Sequence, residues 1–508
     1  MNTKQLPEAF VTQMRTTLGD EEAEKLFAAL DEQPVVSIRL NTAKWSVPAQ
    51  GDPVPWCSTG YYLPTRPLFT ADPLFHAGAY YVQEASSMFI EQIILQHATL
   101  TPDAVALDLC AAPGGKSTLL RSLLPEGALL VCNEPMPKRA QVLAENMTKW
   151  GNPDVIVTQS LPSAFTPLTD TFDLILTDVP CSGEGMFRKD EVAIAEWSPD
   201  NVIMCQRRQR DILTDIWPAL RPGGILIYST CTFNRLENED NVAWIANTLG
   251  ADILPITYDS NWHITPTTTT LDTDTPPITH DSHQHTTPAA TTLGYHFYPH
   301  RTRGEGVFCA ALRKHSTPSA TAPQHSNAPQ ALSPLAKLTT KSGDYALRTC
   351  HHPLLRQLQL TTRVLLSGIR LGEDTKKGFV PDTALALTTA LTTLEHITIP
   401  TNKHALSPAN RRATPHASTH NTQSDNTHAL PSTLNNTTPT PYPRVALTLK
   451  DALAYLHGEA LRLPPDTPHG YIIVTYQSLP LGFAKNIGSR ANNLYPTPWR
   501  IKSSRMSI

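Results

Sequence analysis

"LDLCAAPGGKSTLL" (107–120) reads as a buried strand that breaks at a glycine turn and restarts as a helix. A phosphate-binding G-x-x-x-x-G-K-S/T loop ends in the same three residues, Gly115-Lys116-Ser117. The first glycine of that loop would fall at position 110, which is Cys, so the turn lacks the residue that lets backbone wrap a phosphate. A nucleotide-like cofactor without a triphosphate can instead lie against Gly114 and Gly115, where no Cβ blocks close approach. The following strand ends "VCNEP", which puts Glu134 at its carboxyl end, where an acid can accept from both hydroxyls of a ribose. A ribose acid without a phosphate cradle suits S-adenosylmethionine; this pair of features alone leaves NAD open.

Outward from this stretch the same rhythm repeats. "AVALDLC", "ALLVCNE", "DVIVTQ", "FDLILTDVP" and "GGILIYSTC" are strand-like, and "PKRAQVLAENMTKW" and "CQRRQRDILTDIWPAL" are helix-like. Strands separated by helices imply right-handed crossovers and a mostly parallel sheet, whose ligands sit beyond the strand carboxyl ends. Cys110, Glu134, Asp178, Cys181 and Cys231 all fall on that rim.

Two rim stretches carry thiols: "TDVPCSGEGMFRKD" (177–190) and "YSTCTFNRLENED" (228–240). C5 of cytosine is a poor nucleophile towards a methyl sulfonium. A thiolate added to C6 turns the ring into an enamine, and a carboxyl group near N3 supports the change in charge. Asp178, Cys181 and Cys231 supply those groups. The alternative is that a cysteine packs as a small apolar residue, which suits Cys205 and Cys309. Residues alone do not say which thiol would attack.

The 508 residues carry a net charge of −4, so any polyanion would be met by local patches. One such patch is the last segment, where Lys and Arg number eight against three Asp and Glu from Pro441 onward. Tyr495 and Trp499 among these cations fit a surface that stacks on unpaired bases. The eight cysteines include no C-x-x-C pair, so no metal site is expected and a reducing, cytoplasmic setting fits. No signal peptide and no membrane span are evident. Residues 263–292, 315–334 and 396–441 are rich in Thr, Pro, His and Asn without apolar periodicity and read as flexible insertions or linkers.

"YYVQEASSM", "DLCAAPGGKS", "NEP", "DVPCSGEG", "YSTCTFNRLENE" and "PHRTRGEGVFCAAL", in this order, resemble the Sun-type RNA (cytosine-C5) methyltransferases. The tail stretches "GIRLGEDTKKGFVPDTALAL", "AYLHGEAL" and "NNLYPTPWR" narrow the resemblance to the RsmF-like ribosomal RNA subgroup. The resemblance implies an α/β fold: a Rossmann-like S-adenosylmethionine-dependent domain at 76–314, a small RNA-contacting α/β module at 1–75, a linker at 315–340 and a PUA-like α+β module at 341–508. It implies that Cys231 attacks the base, that Cys181 assists release of the product, and that Asp178 contacts the cytosine close to the cofactor. It gives the cofactor site as Cys110, Ala111, Ala112, Pro113, Gly114, Gly115, Lys116, Glu134 and Asp178.

Ribosomal RNA or the small ribosomal subunit is then the expected partner of a monomeric enzyme acting on 16S rRNA, with tRNA as the alternative substrate. A P-loop nucleotidase and a non-catalytic RNA-binding assembly protein are the rival classes. In one respect the sequence departs from its relatives. No acid follows the third strand, "VTQSLPSAF", so Gln159 or Ser160 is expected to meet the adenine amino group, or the contact is lost.

Overall fold

The structure is a computed structural model that describes residues 5–269, 291–316, 336–340, 343–347, 352–375, 378–389 and 442–502. Helices α1 (Glu8–Leu18) and α2 (Asp20–Leu30) turn on Gly19, whose φ of 80° suits glycine. Their apolar faces (Phe10, Met14, Leu26, Leu30) pack with Phe187, Trp197 and Phe233 of the central body. An antiparallel sheet follows in the order β2-β3-β1-β4, from β1 (Val36–Leu40), β2 (Asp52–Pro53), β3 (Gly60–Leu63) and β4 (Tyr80–Val82). Helix α3 (Pro73–His76) lies between β3 and β4.

The central body runs through α4 (Ile90–His97), β5 (Val105–Asp108), α5 (Gly115–Leu123), β6 (Leu129–Asn133), α6 (Pro137–Trp150), β7 (Val155–Thr158) and β8 (Phe172–Asp178). It continues with α7 (Glu191–Glu196), α8 (Pro199–Ile216), β9 (Leu220–Thr230), α9 (Glu239–Trp244), β10 (Ala251–Leu254), β11 (Thr265–Thr269), β12 (Thr291–His296) and β13 (Phe308–Lys314). Strands β9-β8-β5-β6-β7 are parallel neighbours, and β13, β12 and β11 extend the sheet antiparallel beyond β9. Ala106 faces one apolar cluster, while Val105 and Leu107 face another. Both faces of β5 are therefore covered, which is why its sequence is apolar throughout instead of alternating. Strand order reverses at β5, between β6 and β8, and this opens a crevice at the carboxyl ends.

Sequence reading and structure differ at several points along the chain. Thr265–Thr269 belongs to the stretch expected to be a flexible insertion, yet it pairs with β12 as strand β11. Apart from their flanks, the three low-complexity segments lie outside the described residues. After β14 (Ala336–Thr340), β15 (Gly343–Leu347) and α10 (Leu354–Thr361), strand β16 (Val364–Ser367) pairs antiparallel with β7. Residues 336–340 fall in the expected linker and 341–367 in the expected C-terminal module, yet β14 pairs with β15 and β16 closes the edge of the large sheet.

The remaining described elements are β17 (Gly372–Thr375), β18 (Gly378–Pro381), α11 (Thr383–Leu387), β19 (Arg444–Ala446), α12 (Leu449–His457), β20 (Gly470–Tyr476), β21 (Leu479–Asn486) and β22 (Ala491–Asn493). β19 to β22 form one four-stranded sheet in sequence order. Tyr495, expected on an RNA surface, is 1% exposed and packs in this module's core, with its hydroxyl 3.3 Å from His76 Nδ1. Trp499 packs partly against the same core and lies under the Lys149 ammonium. Among the described residues no helix is long and apolar enough to cross a membrane.

Candidate active site

Each parallel strand delivers one functional group to the crevice. β5 ends on Asp108, whose side chain is fully buried. Ser117 Oγ donates to its Oδ2 at 2.7 Å, while Oδ1 is buried without a hydrogen-bond partner. Burial pushes this carboxyl up to about 7, against the opposing pull of the Ser117 bond. The turn beyond it, Cys110 to Gly114, is tied to α6: Arg139 Nη2 donates to Ala112 O at 2.8 Å and Asn146 Nδ2 to Pro113 O at 2.8 Å. Gly114 has a φ of 115°, the left-handed region that glycine tolerates, and Gly115 opens α5. Ala111 and Ala112 are buried and Pro113 is exposed. The Cys110 thiol is pushed up by burial and then by Asp108, Asp178 and Glu134, so it stays protonated and serves as part of the turn.

β6 delivers Glu134, only 2% exposed. Its Oε1 accepts from Met136 N at 3.0 Å, and its Oε2 lies 3.5 Å from Arg139 Nη1. Asn133, one residue earlier, ties three strand ends together: it donates to Leu109 O and Ser160 O and accepts from Thr158 Oγ1 and Ser160 N. Beyond β7, Ser160 Oγ accepts from Arg363 N at 3.0 Å and Gln159 N donates to Arg363 O at 2.8 Å. Ser160 is thus committed to Arg363 and Asn133. Both expected adenine contacts, Gln159 and Ser160, stand together at the end of β7.

β8 ends on Asp178, and Lys116 Nζ from the first turn of α5 donates to its Oδ2 at 2.8 Å. Burial alone would lower the Lys116 pKa, but the charge and hydrogen bond of Asp178 carry it upward, so the ammonium persists. The two rim thiols then meet. Cys181 Sγ and Cys231 Sγ are 3.1 Å apart, and Cys231 N donates to Cys181 Sγ at 3.3 Å. The hydrogen bond to Cys231, then burial, pushes the Cys181 thiol well above its ordinary value. Cys205 and Cys309 are both buried, Cys309 within the apolar core and Cys205 on α8 with its thiol towards Asn201 Oδ1.

Around the sulfurs lies a polar network that sequence reading passed over, although it lies within "SGEG" and "NRLENED". Glu184 accepts from Phe233 N, Trp197 Nε1 and Asn234 Nδ2. Glu237 accepts from Ser182 N, Asn234 Nδ2 and Gln209 Nε2. Gly185 N donates to Cys231 O at 2.8 Å. A polar residue inside an apolar run, such as Asp108 in "ALDLC", was a legible signal that went unused.

The donor set fits S-adenosylmethionine. Asp108, with its buried unpartnered oxygen, Glu134 and Asp178 put three carboxyl groups around a glycine turn, suited to a ligand with two hydroxyls, an ammonium and a sulfonium.

Comparison with known proteins gives three matches in order along the chain. Residues 6–85 match the N-terminal domain of 16S rRNA methyltransferase RsmF, 96–313 match 16S rRNA methyltransferase RsmB/F, and 442–501 match the methyltransferase RsmF PUA domain. The ribosomal RNA small subunit methyltransferase F of Aliivibrio salmonicida is 38% identical over 251 residues, 46% of this chain and 53% of that one. Its counterpart from Aeromonas hydrophila subsp. hydrophila is 34% identical over 328 residues, 61% of this chain and 64% of that one. The aligned stretches span about half to two thirds of the length of these curated relatives. A solved methyltransferase homolog protein from Pyrococcus horikoshii shares 26% identity with a TM-score of 0.49, covering 61% of this chain and 95% of that one. With a methyltransferase match flanked by both companion domains, the chain is similar along most of its described length to RsmF-like members of the RsmB/F family.

Proposed function

We propose that the protein methylates C5 of a cytosine in the 16S rRNA of the small ribosomal subunit, with S-adenosylmethionine as donor and a covalent Cys231–C6 adduct as intermediate. The observation that carries this reading is the 3.1 Å approach of Cys181 and Cys231 beside the Lys116–Asp178 pair. A nucleotidase or a passive RNA-binding protein has no use for two thiols and an ion pair at one strand-end rim.

S-adenosylmethionine supplies an electrophilic methyl group when bound. Glu134 takes the ribose hydroxyls, Gln159 the adenine edge, and the turn from Cys110 to Gly115 with Lys116 lines the remainder. Cys231, as its thiolate, adds to C6 of an unpaired or flipped cytosine, since only an exposed ring face can be attacked. Asp178, held by Lys116, meets the base near N3, where charge builds up as C6 is attacked. After methylation, Cys181, having lost its own proton to solvent, takes the C5 proton. That electron pair forms the C5=C6 bond, the C6–S bond breaks, and its pair returns to Cys231.

Two free thiols this close persist only in a reducing compartment, which supports a cytoplasmic location. The C-terminal PUA-like module supports RNA as partner.

Incubation of the purified chain with 16S rRNA and S-adenosylmethionine tests the roles. Cys181→Ala is expected to accumulate a covalent protein–RNA adduct on a denaturing gel, and Cys231→Ala to form none. Equal adduct from both would refute the assignment. Bisulfite sequencing of rRNA with and without the gene tests the substrate: a cytosine in 16S rRNA is expected to lose protection without it, and a change confined to tRNA would move the proposal to tRNA.

A further inference from the structure

We propose that Glu237 and Asn238 are the positioning pair for the two sulfurs, with Glu237 holding the Cys181 side and Asn238 the Cys231 side, and that Glu237 therefore governs release of the methylated base more than attack on it. The inference rests on the adduct mechanism above and adds residues to which that mechanism gives no part.

Both side chains are fully buried beside the rim. The carboxylate of Glu237 accepts from Ser182 N at 3.0 Å, Asn234 Nδ2 at 2.7 Å and Gln209 Nε2 at 2.6 Å. Gln209 Nε2 also donates to Pro180 O at 2.9 Å. The peptide groups on either side of Cys181 are thus both held: the Pro180 carbonyl by Gln209 and the Ser182 amide by Glu237. Asn238 braces the Cys231 segment differently, through the residues on either side of the thiol: Thr230 Oγ1 donates to its Oδ1 at 2.7 Å and its Nδ2 donates to Thr232 O at 3.0 Å.

The two sides are not equally supported. Cys231 directly follows β9, whose last residues are paired with β8 on one side and β13 on the other, so the sheet itself fixes its approach. Cys181 lies past the end of β8, in a turn with no strand partner, and depends on side chains to hold it. Loss of the Glu237 bonds therefore displaces Cys181 while Cys231 keeps most of its support.

The chemistry of position 237 is also strict. All three groups facing the carboxylate are N–H donors, and the orientations of both amides are set elsewhere. Asn234 Oδ1 accepts from Glu237 N, and Gln209 Oε1 accepts from Tyr228 OH and Asn241 Nδ2. Only a group that accepts at both oxygens satisfies this arrangement. Glutamine would turn an NH2 towards one of the donors, although its volume is the same.

The test uses the full chain with S-adenosylmethionine and 16S rRNA, reading methylated product and covalent adduct together. Glu237→Gln is expected to resemble Cys181→Ala, with adduct raised by about tenfold over the unaltered protein while product falls, since small misplacements of a reacting group have effects of that order or more. Gln209→Met, which frees the Pro180 carbonyl, is expected to do the same. Asn238→Ala is expected to lower product without raising adduct. A merely structural role would lower adduct and product together. Adduct at or below the unaltered level in both Glu237→Gln and Gln209→Met, while Cys181→Ala still traps, overturns the positioning role and leaves the mechanism standing. A Cys181→Ala protein that traps nothing overturns the mechanism, and this inference with it.

Discussion

Asp108 and Cys181 are two acids whose protons the fold holds more tightly than water would. Burial is the leading cause for Asp108, whose carboxyl is raised from 3.8 to about 7. An acid raised on folding adds stability below its unfolded pKa and loses that contribution as pH climbs through its folded value. Between about pH 4 and about pH 7 this group should therefore lower the thermal midpoint as pH rises, by up to a few kcal/mol of stability. Asp108→Asn, which keeps a partner for Ser117, should flatten that part of a melting-temperature profile; an unchanged profile would contradict the shift. Cys181 makes a kinetic counterpart. Its thiol is raised by the Cys231 hydrogen bond and by burial, and it must ionise before it can take the C5 proton. Steady-state adduct should fall and turnover rise as pH climbs towards and past about 9, read by gel and by methyl incorporation. Asp178, Cys181 and Cys231 were legible as chemistry because thiols and an acid at strand ends are unusual. Glu237 and Asn238 were not, because "LENED" reads as a solvated charge run until the structure buries it around backbone donors.

At the scale of elements, the two thiol-bearing segments meet because one residue lacks a side chain. A Cβ on Gly185 would lie 2.5 Å from Gly306 O and 3.0 Å from Cys231 O, both backbone atoms that yield only if the segments part. Gly185→Ala should cost about 1–3 kcal/mol of stability through overpacking. Turnover should fall by about tenfold or more as the Cys181 turn moves off the β9 end, with both effects measured on the same preparation by denaturant unfolding and steady-state kinetics. The parallel strands themselves were readable, since continuous apolar runs between helical patterns leave few other folds. β16 was not. Its pairing with β7 joins residues about two hundred positions apart through backbone groups alone, and Arg363 meets Gln159 and Ser160 by its amide and carbonyl, which any residue but proline offers in full.

In the whole molecule, the N-terminal, catalytic and C-terminal parts converge on the carboxyl end of α6. Asn41 Nδ2 donates to Gly78 O and Trp150 O, both at 3.0 Å, and Lys44 Nζ donates to Ala77 O and Lys149 O. Thr388 Oγ1 and Thr389 N donate to Gly151 O. Arg39, on β1 two residues before Asn41, is fully buried: its Nη2 donates to Thr118 Oγ1 at 2.6 Å, and its guanidinium lies 4.7 Å from the Trp150 ring centre. Arg39 and Asn41, expected to belong to an RNA-contacting module, thus face the central body. Asn41→Ala leaves two buried carbonyls short of a donor and should cost about 1–3 kcal/mol in denaturant unfolding while leaving the chemistry of the folded molecules intact. By itself the sequence determined the α/β scaffold, the glycine turn and the types of group on the rim, because periodicity and strand-end placement are local properties of the chain. Only the tertiary structure decided that two sulfurs lie 3.1 Å apart, that Tyr495 and Arg39 are internal, and that a remote strand closes the sheet. Those outcomes depend on which buried donors find acceptors across long separations, and residue order along the chain does not encode that pairing locally.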